Sequence, residues 1–252
     1  MKNSRLITRR EMIISGLASA GGLLLAGCSV ETPPTYGSLL RWGDNLTYTA
    51  HRILLPGQSL AREYMHGDIS SFPATGTVNP GDPNSPKFSQ AYAELHRNGF
   101  ADWRLEVEGV VNRPGTFTLA ELKKFPSRTQ ITKHVCEEGW SAIGEWTGVP
   151  LSRVLDAAGL SPNARFVTLH SFDDWVESID LLDAFHPQTI LAYGMNGRDL
   201  PLAHGAPVRL RVERQIGYKS MKYVKKIVVT ETLDDGGEKG NPKNGWAWYV
   251  GI

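Results

Sequence analysis

His134-Val135-Cys136-Glu137-Glu138-Gly139-Trp140-Ser141 follows the run Thr129–Val135, which reads as a strand that delivers Cys136 at or just past its C-terminal end. The residues after the cysteine are ionisable and flexible. Polar backbone of that kind belongs at the edge of a cleft more than in a core. A lone cysteine in this setting has three readings. It can be a small buried hydrophobe. It can be a catalytic thiolate with a histidine base, for which His134, His170, His186 and His204 are available but without diagnostic spacing. Glu137 and Glu138 oppose that reading, because neighbouring carboxylates raise a thiol's pKa. The third reading is a metal ligand. One cysteine without a second sulfur excludes an iron–sulfur or all-cysteine zinc site, whereas a cofactor that brings its own sulfurs needs a single protein thiolate. On the residues alone all three stay open.

Around this segment strands dominate. Arg104–Val110 alternates Leu105, Val107 and Gly109 with charged residues, the period of a half-buried strand. Thr118-x-x-Glu121 is a capping box for a short helix through Lys124, stopped by Pro126. Pro150 opens a helix whose Leu151, Val154, Leu155 and Ala158 form one apolar stripe, and Gly159 ends it. Arg165–His170 and Trp175–Ile179 pair around the Asp173-Asp174 turn, and Asp180 caps a short helix over Leu181–Phe185. Thr189–Met195 and Arg198–Pro201 flank Asn196-Gly197, a tight-hairpin signal. Val208–Glu213 and Tyr223–Glu231 are further strands, and residues 36–102 read as mostly loop with short helical pieces. The fold class is α+β, a single strand-rich mixed domain.

At 252 residues the chain can bury a core without disulfides or a structural metal. A formal charge of +1 with scattered basic residues argues against a nucleic-acid partner. The first ten residues carry Lys2, Arg5, Arg9 and Arg10, and the apolar run Met12–Ala26 is too short and glycine-rich to span a membrane. Residues 1–27 therefore read as an export signal, with Thr8-Arg9-Arg10-Glu11-Met12-Ile13-Ile14 resembling a twin-arginine motif. Leu25-Ala26-Gly27-Cys28 resembles a lipobox, which implies a lipid on Cys28, membrane contact through that lipid, and a periplasmic location on the outer side of a bacterial membrane. Residues 28–35 would be a tether and 36–252 the domain. With Cys28 acylated, Cys136 has no partner for a disulfide even in an oxidising compartment.

Three blocks carry a resemblance. The first is Thr129–Leu160, with Cys136-x-x-x-Trp140-Ser141, Trp146-x-Gly148-x-Pro150-Leu151 and Leu155-x-x-Ala158-Gly159. The second runs from Ala184 to Tyr193 and on through Leu200-Pro201-x-x-His204-Gly205-Ala206-Pro207-Val208-Arg209-Leu210. The third is Gly217-Tyr218-Lys219-Ser220-Met221-Lys222. In this order they resemble the molybdopterin-binding domain of the sulfite oxidase superfamily, and most closely its exported bacterial branch, which includes the catalytic subunit of the periplasmic methionine-sulfoxide-reducing system.

The resemblance implies a molybdenum-molybdopterin cofactor whose metal is bound by Cys136. Arg209, Ser220, Met221 and Lys222 fall on cofactor-contact positions. Ser171 stands where that branch has threonine and His204 where it has asparagine. Thr75, in Phe72–Thr77, stands where an asparagine-containing loop is expected, and Arg62–Tyr64 is a further candidate for cofactor contact. His134, Glu137 and Glu138 are expected near the substrate face, with Glu138 as a proton relay. The expected activity is two-electron oxygen-atom transfer on a small sulfur or nitrogen oxide. The blocks include no counterpart of a haem module, so a cytochrome or membrane haem protein is the expected redox partner. The competing functions are a cofactor-free thiol enzyme using Cys136 and a non-catalytic ligand-binding lipoprotein.

Overall fold

In a computed structural model the described residues are 34–55, 59–233 and 246–252. Residues 1–27, read above as an export signal, and Cys28 lie outside them, as do residues 234–245. The elements in order are α1 (Pro34–Leu54), α2 (Gln90–Arg97), β1 (Arg104–Gly109), β2 (Gly115–Thr118), α3 (Leu119–Leu122), β3 (Arg128–Val135), β4 (Ser141–Pro150), α4 (Leu151–Ala158), β5 (Phe166–Ser171), β6 (Val176–Asp180), α5 (Leu181–Ala184), β7 (Ile190–Met195), β8 (Arg198–Asp199), β9 (Arg209–Arg211) and β10 (Val224–Thr230).

One sheet has the order β2-β1-β10-β5-β6, with β1 parallel to β10 and the other pairs antiparallel. The second has the order β3-β4-β7-β8, with β9 on β7, all antiparallel. The chain around β9 and β10 stitches the sheets together. β9 pairs with β7, while Leu210 N–H donates to Met221 C=O at 2.8 Å and Val224 N–H to Val208 C=O at 3.0 Å. The main core lies against the first sheet. It joins Trp103, Leu105 and Val107 to the α4 stripe of Leu151, Val154, Leu155 and Ala158, all buried as their helical period requires. A smaller cluster of Trp146, Ile190, Ala192, Met195 and Leu200 packs with Phe72 on the second sheet.

Local sequence chemistry accounts for the punctuation. Thr118 Oγ1 accepts from Glu121 N–H at 3.0 Å, and the Glu121 carboxylate accepts from Thr118 N–H at 2.8 Å, a closed capping box. Asn196 and Gly197 both have positive φ, 51° and 72°, as a two-residue hairpin demands.

Two regions depart from the sequence reading. Residues 36–102 hold a 21-residue helix, α1, begun by Pro34 inside the segment read as tether. Its polar residues face the protein, so the usual amphipathic signal is inverted. Ser141–Pro150 was not read as a strand, but β4 is the centre of the second sheet. It is buried on both faces over much of its length, which erases the alternation expected of a half-buried strand.

Gly109 tests the β1–β10 junction. Its φ is 92°, and a Cβ there would stand 2.0 Å from Val229 O. Gly109→Ala should lower the unfolding free energy by about 3 kcal/mol, measured by urea titration. A change under about 0.5 kcal/mol would show that the two strands are not held this closely.

Candidate active site and cofactor pocket

Loops from both sheets surround one cleft. The turn after β3 brings Cys136, Glu137 and Glu138, and the β5–β6 turn brings Asp173 and Trp175. His204 follows β8 and Arg209 opens β9. Ser220, Met221 and Lys222 follow the 3-10 turn Gly217–Lys219, and the segment Phe72–Thr77 lies across the cleft.

Cys136 is held by its own turn. Its N–H donates to Trp140 C=O at 2.9 Å, and its C=O accepts from Gly139 N–H at 3.1 Å. Gly139 has φ 89°, which glycine supplies without a Cβ penalty. The thiol is 7% exposed, at the cleft wall and not sealed in hydrocarbon. Burial first, and the Glu137 carboxylate next among the groups that hold the proton on, push its pKa up to about 11. That is the reverse of what a free nucleophile needs, whereas coordination to a metal removes a thiol proton outright.

The far wall is cationic. Arg209 donates to His204 C=O at 3.1 Å and to Ser220 C=O at 2.6 Å, while its buried Nε has no hydrogen-bond partner. Burial and then Arg211 push Arg209 down to about 9. Burial and then Arg209 push Lys222 down to about 8. His204 falls to about 4 through burial, Arg209 and Lys222, and His134 to about 2 through burial, Arg211 and Arg209. All four shifts disfavour positive charge, as burial beside like charges requires. A phosphorylated ligand seated between them would reverse that.

Neighbouring charges are already balanced. Arg211 pairs with Glu213 at 2.7 Å and donates to His134 Nδ1 at 2.8 Å. Lys219 pairs with Glu177 at 2.7 Å. All four side chains of these two pairs are almost wholly buried. The turn is also tight: a Cβ on Gly217 would stand 2.6 Å from His134 Nε2, and Gly205, at φ 108°, backs onto Arg209 and Lys222.

Cys136, Glu138, Thr75, His204, Arg209, Ser220, Met221 and Lys222 all line this cleft. Several do so in a different manner from the sequence expectation. The Lys222 ammonium donates to the carbonyls of Thr75 at 2.9 Å, Ala203 at 3.2 Å and Thr77, fastening the overlying segment. Thr75 is thus engaged through its backbone. The Ser220 hydroxyl accepts from Val212 N–H at 3.2 Å. The amides of Lys219 and Ser220 close the 3-10 turn onto Ile216 and Gly217. Glu138 is exposed at the mouth and accepts from Trp140 Nε1 at 2.9 Å.

Ser171 is not part of the lining. Its hydroxyl is engaged with Asp173 and Trp175 inside the β5–β6 turn, which puts those two residues at the cleft instead. Arg62–Tyr64 lies on the edge of β3, with Tyr64 N–H bonded to Ile131 C=O and Arg62 stacked on Tyr64. Phe72 is a residue that sequence reasoning passed over. Its ring meets His134, Trp140, Trp146 and His204 at 5.3–5.8 Å between centroids. Its position three residues before Thr75 was the available signal.

Among the described residues no cluster of three or more His, Cys, Asp or Glu could hold a metal by itself. A single thiolate facing a buried cationic pocket defines a class: proteins that hold a metal on an anionic organic cofactor. The chain belongs to the oxidoreductase molybdopterin binding domain family, whose model matches residues 93–237. It is 32% identical over 247 residues to a chain named as a protein-methionine-sulfoxide reductase subunit, YedZ1, of Azospira oryzae, covering 98% of this chain and 87% of that one. It is 30% identical over 166 residues to the protein-methionine-sulfoxide reductase catalytic subunit MsrP of Campylobacter jejuni, 59% of this chain and 53% of the relative. The sulfane dehydrogenase SoxCD of Paracoccus pantotrophus superposes with TM-score 0.53 at 25% identity over 55% of this chain and 41% of its own. The protein is a molybdenum-dependent oxidoreductase of the sulfite oxidase type, with molybdopterin as its cofactor.

His134 gives the site a pH signature. Because its folded pKa lies far below 6.5, the unfolded chain takes up a proton that the folded pocket refuses. Stability present above pH 6.5 is lost as pH falls toward about 2. In cofactor-free protein the urea midpoint should fall between pH 7 and pH 4.5, and His134→Gln should flatten that fall. Equal slopes in the two proteins would contradict the assignment.

Proposed function

We propose that this chain reduces an S-oxide by two-electron oxygen-atom transfer, with Cys136 as the protein ligand to molybdenum. The observation that carries the reading is the placement of the Cys136 thiol on the same cleft as Arg209 and Lys222. The two relatives named as methionine-sulfoxide reductase proteins support the substrate class. When bound, the cofactor supplies the metal that exchanges the oxygen atom and two electrons.

The chain's own residues do the rest. Cys136 fixes the metal at the cleft wall. Arg209, with its orphaned Nε, and Ser220 and Met221 beside it seat the anionic end of the cofactor, and His204 flanks them. Lys222 adds positive potential and, through Thr75 and Thr77, holds the covering segment in place. Phe72, Trp140 and Trp175 give the entrance apolar walls that exclude water around a small oxide. Reduction of a sulfoxide consumes two protons and releases water, and Glu138, exposed at the mouth, is placed to deliver protons from solvent. Ser171 serves the site indirectly by setting the turn that presents Asp173 and Trp175.

We further infer an exported enzyme on the periplasmic side of a bacterial membrane: signal 1–27, acylated Cys28, and electrons from a membrane haem protein or cytochrome. The Arg9-Arg10 motif and the Leu25-Ala26-Gly27-Cys28 tetrapeptide support this. No described helix is long and apolar enough to cross a membrane.

Protein from a molybdopterin-competent host should carry close to stoichiometric molybdenum and oxidise reduced viologen with methionine sulfoxide. Cys136→Ala should lose that turnover by about a thousandfold or more while remaining folded. Full turnover in metal-depleted protein, or molybdenum near zero in the wild type, would overturn the reading.

A further inference from the structure

α1 is built inside out. At about 100° per residue, Arg41, Asp44, Tyr48, His51 and Arg52 share one face of the helix, and this polar face is the one turned toward the protein. Arg52 donates to Asp180 at 2.9 Å and pairs with Asp183 at 3.0 Å, and Tyr48 O–H donates to Asp180 at 2.8 Å. His51 Nδ1 lies 3.3 Å from the Tyr249 hydroxyl, and Asp44 accepts from Trp248 N–H at 3.4 Å. The opposite face, Trp42, Leu46, Thr49 and Ile53, falls within about 60° of arc. Trp42 is 61% exposed, Leu46 50% and Ile53 77%, with Leu54 at 76% on the flank. A surface helix normally buries its apolar stripe and solvates its polar one. Here polar anchors fix the helix and leave the apolar stripe without a partner among the described residues.

We propose that this stripe lies in the interfacial layer of a lipid bilayer. The proposal rests on the reading of Cys28 as the acylated residue. Five residues lie between Cys28 and Pro34, and the six Cα-to-Cα steps span at most about 20 Å. A lipid on Cys28 therefore delivers the start of α1 to the membrane surface. There a helix about 30 Å long can lie flat, with a tryptophan at the depth indole favours. The exposed residues from Trp42 to Leu54 include no charged side chain, so the stripe fits hydrocarbon and headgroup boundary and needs no anionic lipid.

The other face of α1 meets the C-terminal tail, which packs against Tyr218 of the cleft wall. Trp248 Nε1 donates to Asn45 Oδ1 at 3.1 Å, and its ring lies 5.0 Å from Tyr48. Two residues upstream, Trp246 stacks edge-on against Tyr218 at 5.3 Å, while Tyr218 O–H donates to Ala247 C=O at 2.6 Å. Tyr218 lines the cleft. A helix lying on the bilayer thus fixes the catalytic cleft close to the membrane and in one orientation toward it.

Tryptophan emission can read this directly. Trp42 is the one strongly exposed tryptophan among the described residues, and the signal contains none. Full-length, cofactor-loaded protein is mixed with phosphatidylcholine vesicles whose acyl chains carry bromine. We expect bromine quenching and a blue shift, both insensitive to 1 M NaCl. Trp42→Phe should keep co-sedimentation with vesicles but lose the quenching. The double variant L46S/I53S, which keeps the Trp42 reporter, should lose most of the quenching while keeping its molybdenum content, because the substituted residues are exposed. Co-sedimentation without quenching would mean that the chain is tethered with this face turned away, overturning the proposal and leaving the acyl anchor intact. Concentration-dependent dimerisation that the double variant abolishes, without quenching, would assign the face to a second copy and equally overturn it. Quenching in protein whose Cys28 is shown by mass spectrometry to be unacylated would refute the anchor and leave the helix assignment standing.

Discussion

The structure is organised around one buried guanidinium, that of Arg209. Arg209 is fully buried, donates only to two carbonyls, and leaves its Nε without a partner. Lys222 and His204 stand beside it with their protonated forms disfavoured. Burying uncompensated charge is costly, and a fold keeps such an arrangement when a bound ligand completes it. The molybdopterin phosphate has the required charge. The strand that carries Arg209 is also the one through which the two sheets are stitched, so the proposed cofactor seat and the fold junction share the same few residues.

The surrounding electrostatics keep that deficit local. Arg211 is neutralised by Glu213, and Lys219 by Glu177, each pair almost wholly buried. Trp146 lies under both guanidinium groups, 5.0 Å from Arg209 and 4.5 Å from Arg211, giving them a polarisable face where water is excluded. Phe72 packs against that same indole and reaches His134 and Trp140 across the cleft. The covering segment is thereby tied to the wall by aromatic contacts at Phe72 and by the Lys222 ammonium at Thr75 and Thr77. Cys136 lines the same cleft, on a turn fixed by its own backbone hydrogen bonds.

Much of this was legible in the residues. The α4 stripe, the Thr118 capping box, the Asn196-Gly197 hairpin and the strand before Cys136 are local signals, and the packing agrees with each of them. The α+β class followed from those local elements, and the cofactor and the family from three blocks of resemblance. What stayed hidden was non-local. β4 is central and buried on both faces, so its period-two pattern vanishes. α1 inverts the amphipathic rule because ion pairs to Asp180 and Asp183, far along the chain, hold its polar side inward. Ser171 carries a hydroxyl at the expected position, but the β5–β6 turn uses that hydroxyl internally and offers Asp173 and Trp175 to the cleft. The sequence could suggest a cation at Lys222 but not the three carbonyls that surround it.

The most direct measurement of the central claim is cofactor retention after Arg209→Gln, read as pterin fluorescence released on denaturing the purified protein and compared with wild type and with Cys136→Ser. If the buried guanidinium is the anion's seat, Arg209→Gln should retain pterin roughly 10–100-fold less tightly, and Cys136→Ser should lose bound molybdenum more readily than pterin. Wild-type pterin retention by a folded Arg209→Gln protein would contradict the account.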